Sequence, residues 1–249
     1  MRAALFERDG YVIVRGLWPR EEAAALRDHY MDAHARRTIP AYDDRLPETD
    51  VLSRYPRLVH PHRTDDLSRR YVLDARIEAV LGELFGEAPL AIQSKLFYKP
   101  PGGRGFGLHQ DQPGVCASPR TCIGCWIALD RADAENGGML VVPGSQRLGL
   151  VHGEPEPSVE FLGGSGLRVP DGHRVEQTEL EPGDALFFSG LVLHGSYANR
   201  SRDRFRRSFI GHYVARSTES LAKFYHPPLA FSGEEVSCAV ASGGFAGRD

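Results

Sequence analysis

From about residue 90 to residue 214 the chain is cut into short apolar runs by glycine- and proline-bearing turns. Residues 91–99 end at Pro100-Pro101-Gly102-Gly103, and residues 122–129 form a second run. Asn136-Gly137-Gly138 leads into residues 139–142, which stop at Pro143-Gly144-Ser145. Glu181-Pro182-Gly183-Asp184 precedes residues 185–188, and residues 206–214 form the last clear run. Segments this short, rich in β-branched and aromatic residues and closed by turn residues, are strands rather than helices. Many such strands at close spacing bury their apolar faces only by stacking as a sandwich or closing as a barrel.

The first 88 residues read differently. Residues 9–17 give a turn and a short strand before Trp18-Pro19 breaks the chain. Residues 20–37 are rich in Ala and Leu with charges between, which predicts a helix. Between 65 and 85, Tyr71, Val72, Ile77, Val80, Leu81, Leu84 and Phe85 recur at helical spacing, and Gly86 ends the pattern. Helices first and strands after predict a mainly β fold with flanking helices, the helices buttressing one sheet. Residues 38–61 carry four prolines and form a loop long enough to wall a site, as do residues 150–175.

Composition excludes several classes. A formal net charge of −3 without a basic cluster gives no footprint for nucleic acid. No apolar run is long enough to span a bilayer. The opening Met1-Arg2-Ala3-Ala4-Leu5-Phe6 runs straight into Glu7-Arg8-Asp9, so no secretory core is read and the expected location is cytoplasmic. Cys122 and Cys125 are formally C-x-x-C, yet they fall in one strand-like run. Residues three apart on a strand point to opposite faces, so both are expected to be reduced core residues rather than a metal or redox pair.

The chemistry-bearing stretch is His109-Gln110-Asp111, just after the Pro-Gly-Gly loop. In an extended segment residues two apart share a face, so one imidazole and one carboxylate can reach one metal. His194, in Leu193-His194-Gly195-Ser196, ends another apolar run and is the natural third ligand. Two histidines and one carboxylate with open positions opposite form the facial triad of non-haem Fe(II) oxygenases. His60-Pro61-His62 lacks a carboxylate nearby and is expected on the surface or against substrate, not on a metal.

The chain resembles the phytanoyl-CoA dioxygenase (PhyH) family of Fe(II)- and 2-oxoglutarate-dependent oxygenases. The matching residues are Asp9-Gly10-Tyr11, Gln93-Ser94 through Lys99-Pro100-Pro101-Gly102, His109-Gln110-Asp111 and Trp126. They continue with Asn136-Gly137 through Pro143-Gly144-Ser145, Pro182-Gly183-Asp184, and His194-Gly195-Ser196 with Asn199. The resemblance implies a double-stranded β-helix (a cupin-like jelly roll) over about residues 89–216. A helical part over 1–88 and a tail over 217–249 would complete a single domain of 249 residues. It also implies His109, Asp111 and His194 as iron ligands, with 2-oxoglutarate chelating the iron and dioxygen (O2) as oxidant.

The far carboxylate of 2-oxoglutarate needs a fixed planar cation, which suits arginine better than lysine. Arg204, Arg206 and Arg207 compete for that role. The resemblance, with an insertion in the preceding loop, selects Arg206, and a one-residue slip would select Arg207. Ser196 can add a hydroxyl bond on the face of His194. Gln93 and Trp126 match co-substrate-lining positions, although plain core packing serves either equally well. Asp111 retains the carboxylate that halogenating relatives lack, so hydroxylation, desaturation or oxidative cyclisation of a C–H bond is expected, with release of succinate and CO2. The alternatives are a cupin-type metalloprotein of other chemistry, a ligand-binding β-domain, and an acyl-CoA hydroxylase. Asp43, Asp44, Glu48, Asp50, Glu154, Glu156 and Glu160 crowd the two long loops. They predict a polar small-molecule substrate, such as a sugar-containing or amine-bearing natural product, over an acyl-CoA.

Overall fold

The inner faces of two antiparallel sheets pack on each other in the computed structural model, which describes residues 1–42, 45–152, 156–158, 160–162 and 165–244. The chain opens with α1 (Arg2–Asp9), β1 (Tyr11–Val14), α2 (Arg20–Arg36), α3 (Val51–Arg54), β2 (Leu58–Val59), α4 (Asp66–Val72) and α5 (Ala75–Phe85). Strands then dominate: β3 (Pro89–Phe97), β4 (Phe106–His109), the one-turn α6 (Gln112–Val115), β5 (Ile123–Ala128) and β6 (Met139–Val141). Three two-residue strands follow, β7 (Glu156–Pro157), β8 (Ser165–Gly166) and β9 (Glu176–Gln177). The chain closes with β10 (Ala185–Ser189), β11 (His194–Ser196), β12 (Ser208–Ala215), β13 (Ser220–Leu221), β14 (Leu229–Ala230) and β15 (Ala239–Val240).

The larger sheet has the order β1-β10-β5-β12-β3-β14, with β2 also on β3, and the smaller has the order β4-β11-β6-β9. This is the mainly β, helix-flanked jelly roll that the turn pattern and the resemblance imply. Strand alternation explains how one sheet serves two cores. Trp126, Leu186, Phe188 and Ile210 point inward and meet Met139 and Val141 of the smaller sheet. Their neighbours Cys125, Ile127, Phe187, Phe209 and Tyr213 point outward, onto Trp18, Leu26, Tyr30, Ile77 and Leu81 of the helical layer. The buried phenols are satisfied. Tyr213 donates to Val72 O at 2.8 Å, and Tyr98 to Tyr30 O at 2.9 Å.

The helical region at 65–85 is two helices, because Asp74 stops one and caps the next. Its side chain accepts from Arg76 N at 2.8 Å, a contribution of about 1 kcal/mol. Helix α1 was not expected from the sequence; it is mostly exposed and is ended by Gly10 in the left-handed region (φ 81°). The proline-rich stretch is not all loop, since it carries α3 and β2. His60 and His62 are buried rather than on the surface. His62 Nδ1 lies 2.7 Å from Ser94 Oγ, and His60 N donates to Ser94 O at 2.8 Å, so both are fastened to β3. Burial pushes the His62 imidazole down to about 4 and the His60 imidazole to about 2. Cys122 and Cys125 are free thiols in different clusters, as alternation requires, and burial pushes both thiols up. Among the described residues no helix is long and apolar enough to cross a membrane.

Candidate metal centre

His109 closes β4 and His194 opens β11, and the two are direct partners across that strand pair. The approach is close. A Cβ on Gly105 would come 2.2 Å from Ser196 O, and one on Gly195 would come 2.7 Å from Phe106 O. Only glycine fits such contacts. The imidazole centroids consequently sit 4.3 Å apart. Asp111 reaches the same point by a route the alternation argument did not foresee. It has left the strand (φ −78°, ψ −31°) and heads α6, so a turn, not a shared strand face, brings it beside His109. Gln110 fixes that turn, donating to Gly149 O at 2.8 Å and Leu191 O at 2.6 Å while accepting from Val151 N at 2.8 Å.

One ligand atom from each of His109, Asp111 and His194 lies within 4.8 Å of the others. The tautomers follow from the bonding. His109 Nδ1 lies 2.8 Å from Gly107 O and His194 Nδ1 lies 3.0 Å from Val192 O. A carbonyl can only accept, so each Nδ1 carries the proton and each Nε2 presents its lone pair. Those Nε2 atoms face Asp111, at 3.9 Å for His109 and 3.6 Å for His194. Two neutral imidazoles and a carboxylate on one side of a point, with the other side open, suit a divalent transition metal.

His212, which sequence reasoning did not single out as a site residue, stands behind this group. Its Nε2 lies 3.0 Å from Asp111 Oδ2, which orients the carboxylate from outside the triad. Burial opposes the charge on Asp111, yet His212, His194 and His109 together hold its carboxyl well below the ordinary carboxylate range. Burial and the neighbouring His109 push His194 down to about 4, which keeps it neutral and available as a ligand near pH 7.

The group opens into a cavity of about 500 Å³. Of the three competing arginines, only Arg206 lines it. Arg204 is bound by Asp133 and Glu135, and Arg207 by Asp130 at 2.7 and 2.8 Å. Arg206 is buried just ahead of β12, with Trp126 5.4 Å away under its guanidinium. Its Nε donates to Gly137 O and its Nη1 to Ser208 Oγ, while Nη2 has no partner among the described residues. Burial lowers its pKa to about 9, so it remains a cation at neutral pH.

Ser196 and Trp126 also line the cavity. Ser196 Oγ lies 2.7 Å from the buried Lys99 Nζ, which also bonds Tyr197 O and Gly137 O. Burial and Arg206 push the Lys99 amine down, but three oxygen acceptors around Nζ match the three donors of an ammonium. Ser196 therefore accepts from Lys99, and from Phe106 N at 3.3 Å, which leaves its own O–H free to donate. Gln93 does not line the cavity. It is buried beside His212 on the neighbouring strand, and both its amide atoms lack a hydrogen-bond partner among the described residues.

Among the described residues the long loops contribute Leu46, Arg57 and Leu162 to the cavity, and not Glu48, Asp50 or Glu160. Asp50 caps α3 and pairs with Arg104, Glu160 pairs with Arg200, and Glu48 is exposed. Asp43, Asp44 and Glu154, and the side chain of Glu156, lie outside what the structure describes. Among the described residues Asp111 is the only carboxylate in the lining, beside Arg57, Lys95 and Arg206.

Comparison with known proteins agrees with this geometry. The model of the phytanoyl-CoA dioxygenase (PhyH) family matches residues 6–208. A methylphosphonate hydroxylase of Gimesia maris is 31% identical over 227 residues, covering 89% of this chain and 82% of the relative. Among solved structures, EctD of S. alaskensis with bound Fe superposes with a TM-score of 0.70 at 26% identity, covering 98% of this chain and 87% of that one. SnoN, an epimerase solved with Fe3+, α-ketoglutarate and nogalamycin RO, shares the fold with a TM-score of 0.70 at 22% identity, over 87% of this chain and 83% of its own.

Proposed function

This chain belongs to the phytanoyl-CoA dioxygenase (PhyH) family and is an Fe(II)- and 2-oxoglutarate-dependent oxygenase, and on that premise we propose that it oxidises a C–H bond of a small polar molecule, by hydroxylation or oxidative cyclisation. In this reading His109, Asp111 and His194 hold the iron, and Arg206 and Ser196 take the far carboxylate of 2-oxoglutarate beside Trp126. The observation that carries it is that the triad, a buried arginine with one unpartnered nitrogen and a free hydroxyl all line one cavity. When bound, iron and 2-oxoglutarate supply the oxidation, consuming dioxygen and releasing succinate and CO2.

The protein's own part is positional. The carbonyls of Gly107 and Val192 hold the histidines in the ligating tautomer, and His212 holds Asp111. Gly137 O and Ser208 Oγ fix the guanidinium plane, so that the remaining N–H groups meet a carboxylate as a preformed fork. Phe97, Phe106, Phe188 and Met139 keep water from the reacting atoms.

Cavity size bears on the substrate. About 500 Å³ must hold the co-substrate and the reacting part of the substrate together, which favours a compact molecule over an acyl-CoA. The relative named methylphosphonate hydroxylase supports a small polar substrate. A sugar-containing or other natural product falls within this reading where its reacting portion is small. A cytoplasmic enzyme acting as one catalytic domain is part of the same proposal. The test is a panel of small metabolites, glycosides and acyl-CoAs incubated with Fe(II) and 2-oxoglutarate, read by substrate-dependent succinate release. Turnover of acyl-CoAs alone would overturn the substrate class. Absence of any visible charge-transfer band on anaerobic addition of Fe(II) and 2-oxoglutarate would overturn the site assignment.

A further inference from the structure

Lys95 sits on the inward face of β3, between Gln93 and Phe97, opposite Ile210 of β12 and Val59 of β2. It is half-buried and lines the cavity that holds His109, Asp111 and His194. Among the described residues its Nζ has neither a hydrogen bond nor an ion pair. Arg57, two residues before Val59, lines the same wall, its guanidinium 4.7 Å from the Tyr42 ring and 5.9 Å from that of Phe97. Burial pushes the Lys95 amine down, Asp111 pulls it up, and Arg57 lowers it further, as expected of two cations near one another.

Charge balance isolates this lysine. With the reading above, the two charges of iron and the one of Arg206 are matched by Asp111 and the two carboxylates of 2-oxoglutarate. Lys95 is left over. A cation removed from bulk water with no partner is costly, and a site that keeps one is matched to an anion that arrives from outside. The same lining carries Phe97, Phe106, Leu108 and Leu162, which suit a carbon skeleton.

We propose that the substrate carries an oxyanion, a carboxylate or a phosphonate, that pairs with Lys95 in the cavity of the metal centre, with Arg57 flanking it. The inference rests on the oxygenase reading and adds the charge of the substrate to it. It is compatible with an amine elsewhere on the substrate, as the acidic loops predict.

The experiment is an anaerobic titration of the Fe(II)- and 2-oxoglutarate-loaded protein with methylphosphonate, phenylphosphonate, propionate and hexanoate, each beside its neutral methyl ester. Perturbation of the visible charge-transfer band reports binding, and the phosphonate and carboxylate arms separate the two oxyanion sources. The expected result is binding by at least one anion and by no ester. Lys95→Gln should weaken that binding roughly ten- to a hundredfold, the range of a charge-assisted hydrogen bond, and Lys95→Arg should restore most of it. Affinity for 2-oxoglutarate should be unchanged in both variants, which also certifies their fold. Equal binding of esters and anions, no perturbation by any anion, or anion binding indifferent to Lys95→Gln would overturn the inference and leave the oxygenase reading standing. Loss of 2-oxoglutarate affinity in Lys95→Gln would overturn it by assigning the lysine to the co-substrate. Absence of the band in the unsubstituted protein would overturn both.

Discussion

Replacing Arg206 by alanine removes a buried, cavity-lining cation whose Nε and Nη1 are tied to Gly137 O and Ser208 Oγ and whose Nη2 has no partner among the described residues. The protein retains Ser196 O–H as a donor, so what is lost is the charged fork. Truncating one partner of a desolvated charge pair costs about 2–5 kcal/mol, and each 1.4 kcal/mol is a factor of about ten. The dissociation constant for 2-oxoglutarate should therefore rise roughly thirtyfold to a few thousandfold. Arg206→Lys keeps the charge, loses the plane, and should fall between. Arg207→Ala is the control. Its side chain is held by Asp130 at 2.7 and 2.8 Å, away from the cavity, in a mostly buried pair, so it should lose up to about 3–5 kcal/mol of stability but no co-substrate affinity. The assay is anaerobic titration of the Fe(II)-loaded protein with 2-oxoglutarate, following the visible charge-transfer band, with thermal melts run alongside. A large rise for Arg207→Ala with Arg206→Ala near the parent value would refute the assignment.

Three further expectations follow from the same geometry. His109→Ala, Asp111→Ala and His194→Ala should each abolish turnover with circular dichroism unchanged; a variant that keeps full iron affinity and activity in titration removes its residue from the site. His62 and His60 are held neutral, with pKa values of about 4 and about 2 against an ordinary 6.5, so the unfolded chain takes up their protons first. Stability is then fully present above about pH 6.5 and declines below it, by up to about 1.4 kcal/mol per pH unit for each histidine. Urea midpoints at pH 7.5 and 5 should differ less in His62→Asn, and an unchanged difference would show that other groups carry the effect. Native protein should expose Cys116 and Cys238 to a thiol reagent before Cys122 and Cys125, which are buried with raised pKa values; four equal rates would contradict the packing.

The strands were legible because turn residues and period-two alternation report directly on a half-buried sheet. Residues 122–129 and 185–188 fall within a residue or two of β5 and β10. The triad was legible for a partly different reason than the one given: the spacing of His109 and Asp111 was right, but a helical turn rather than a pleat joins them. His212 and Lys95 were not legible, since a polar residue inside a strand looks the same whether it faces a core, a cavity or water. His60 was misjudged because its burial depends on a left-handed backbone (φ 56°) that nothing in a His-Pro-His string announces. Of the loop acids that can be placed, Glu48 stays in solvent and Asp50 and Glu160 pair with arginines, while the same loops turn Leu46, Arg57 and Leu162 toward the site; whether a loop charge faces solvent, an arginine or a cavity is not written in the string.

Both histidines of the candidate triad belong to the four-stranded sheet, at the paired ends of β4 and β11, while Asp111 belongs to α6, whose Val115 packs in a separate cluster with Leu90, Val214 and Leu221. A metal held by all three is therefore a cross-link between the short-stranded half of the roll and the long-stranded half. Its binding free energy is shared with the docking of one sheet on the other, by mass action. If the triad holds iron, a chain stripped of it should lose this clasp, and the amides of β4 and β11 should exchange with solvent faster than in the loaded protein.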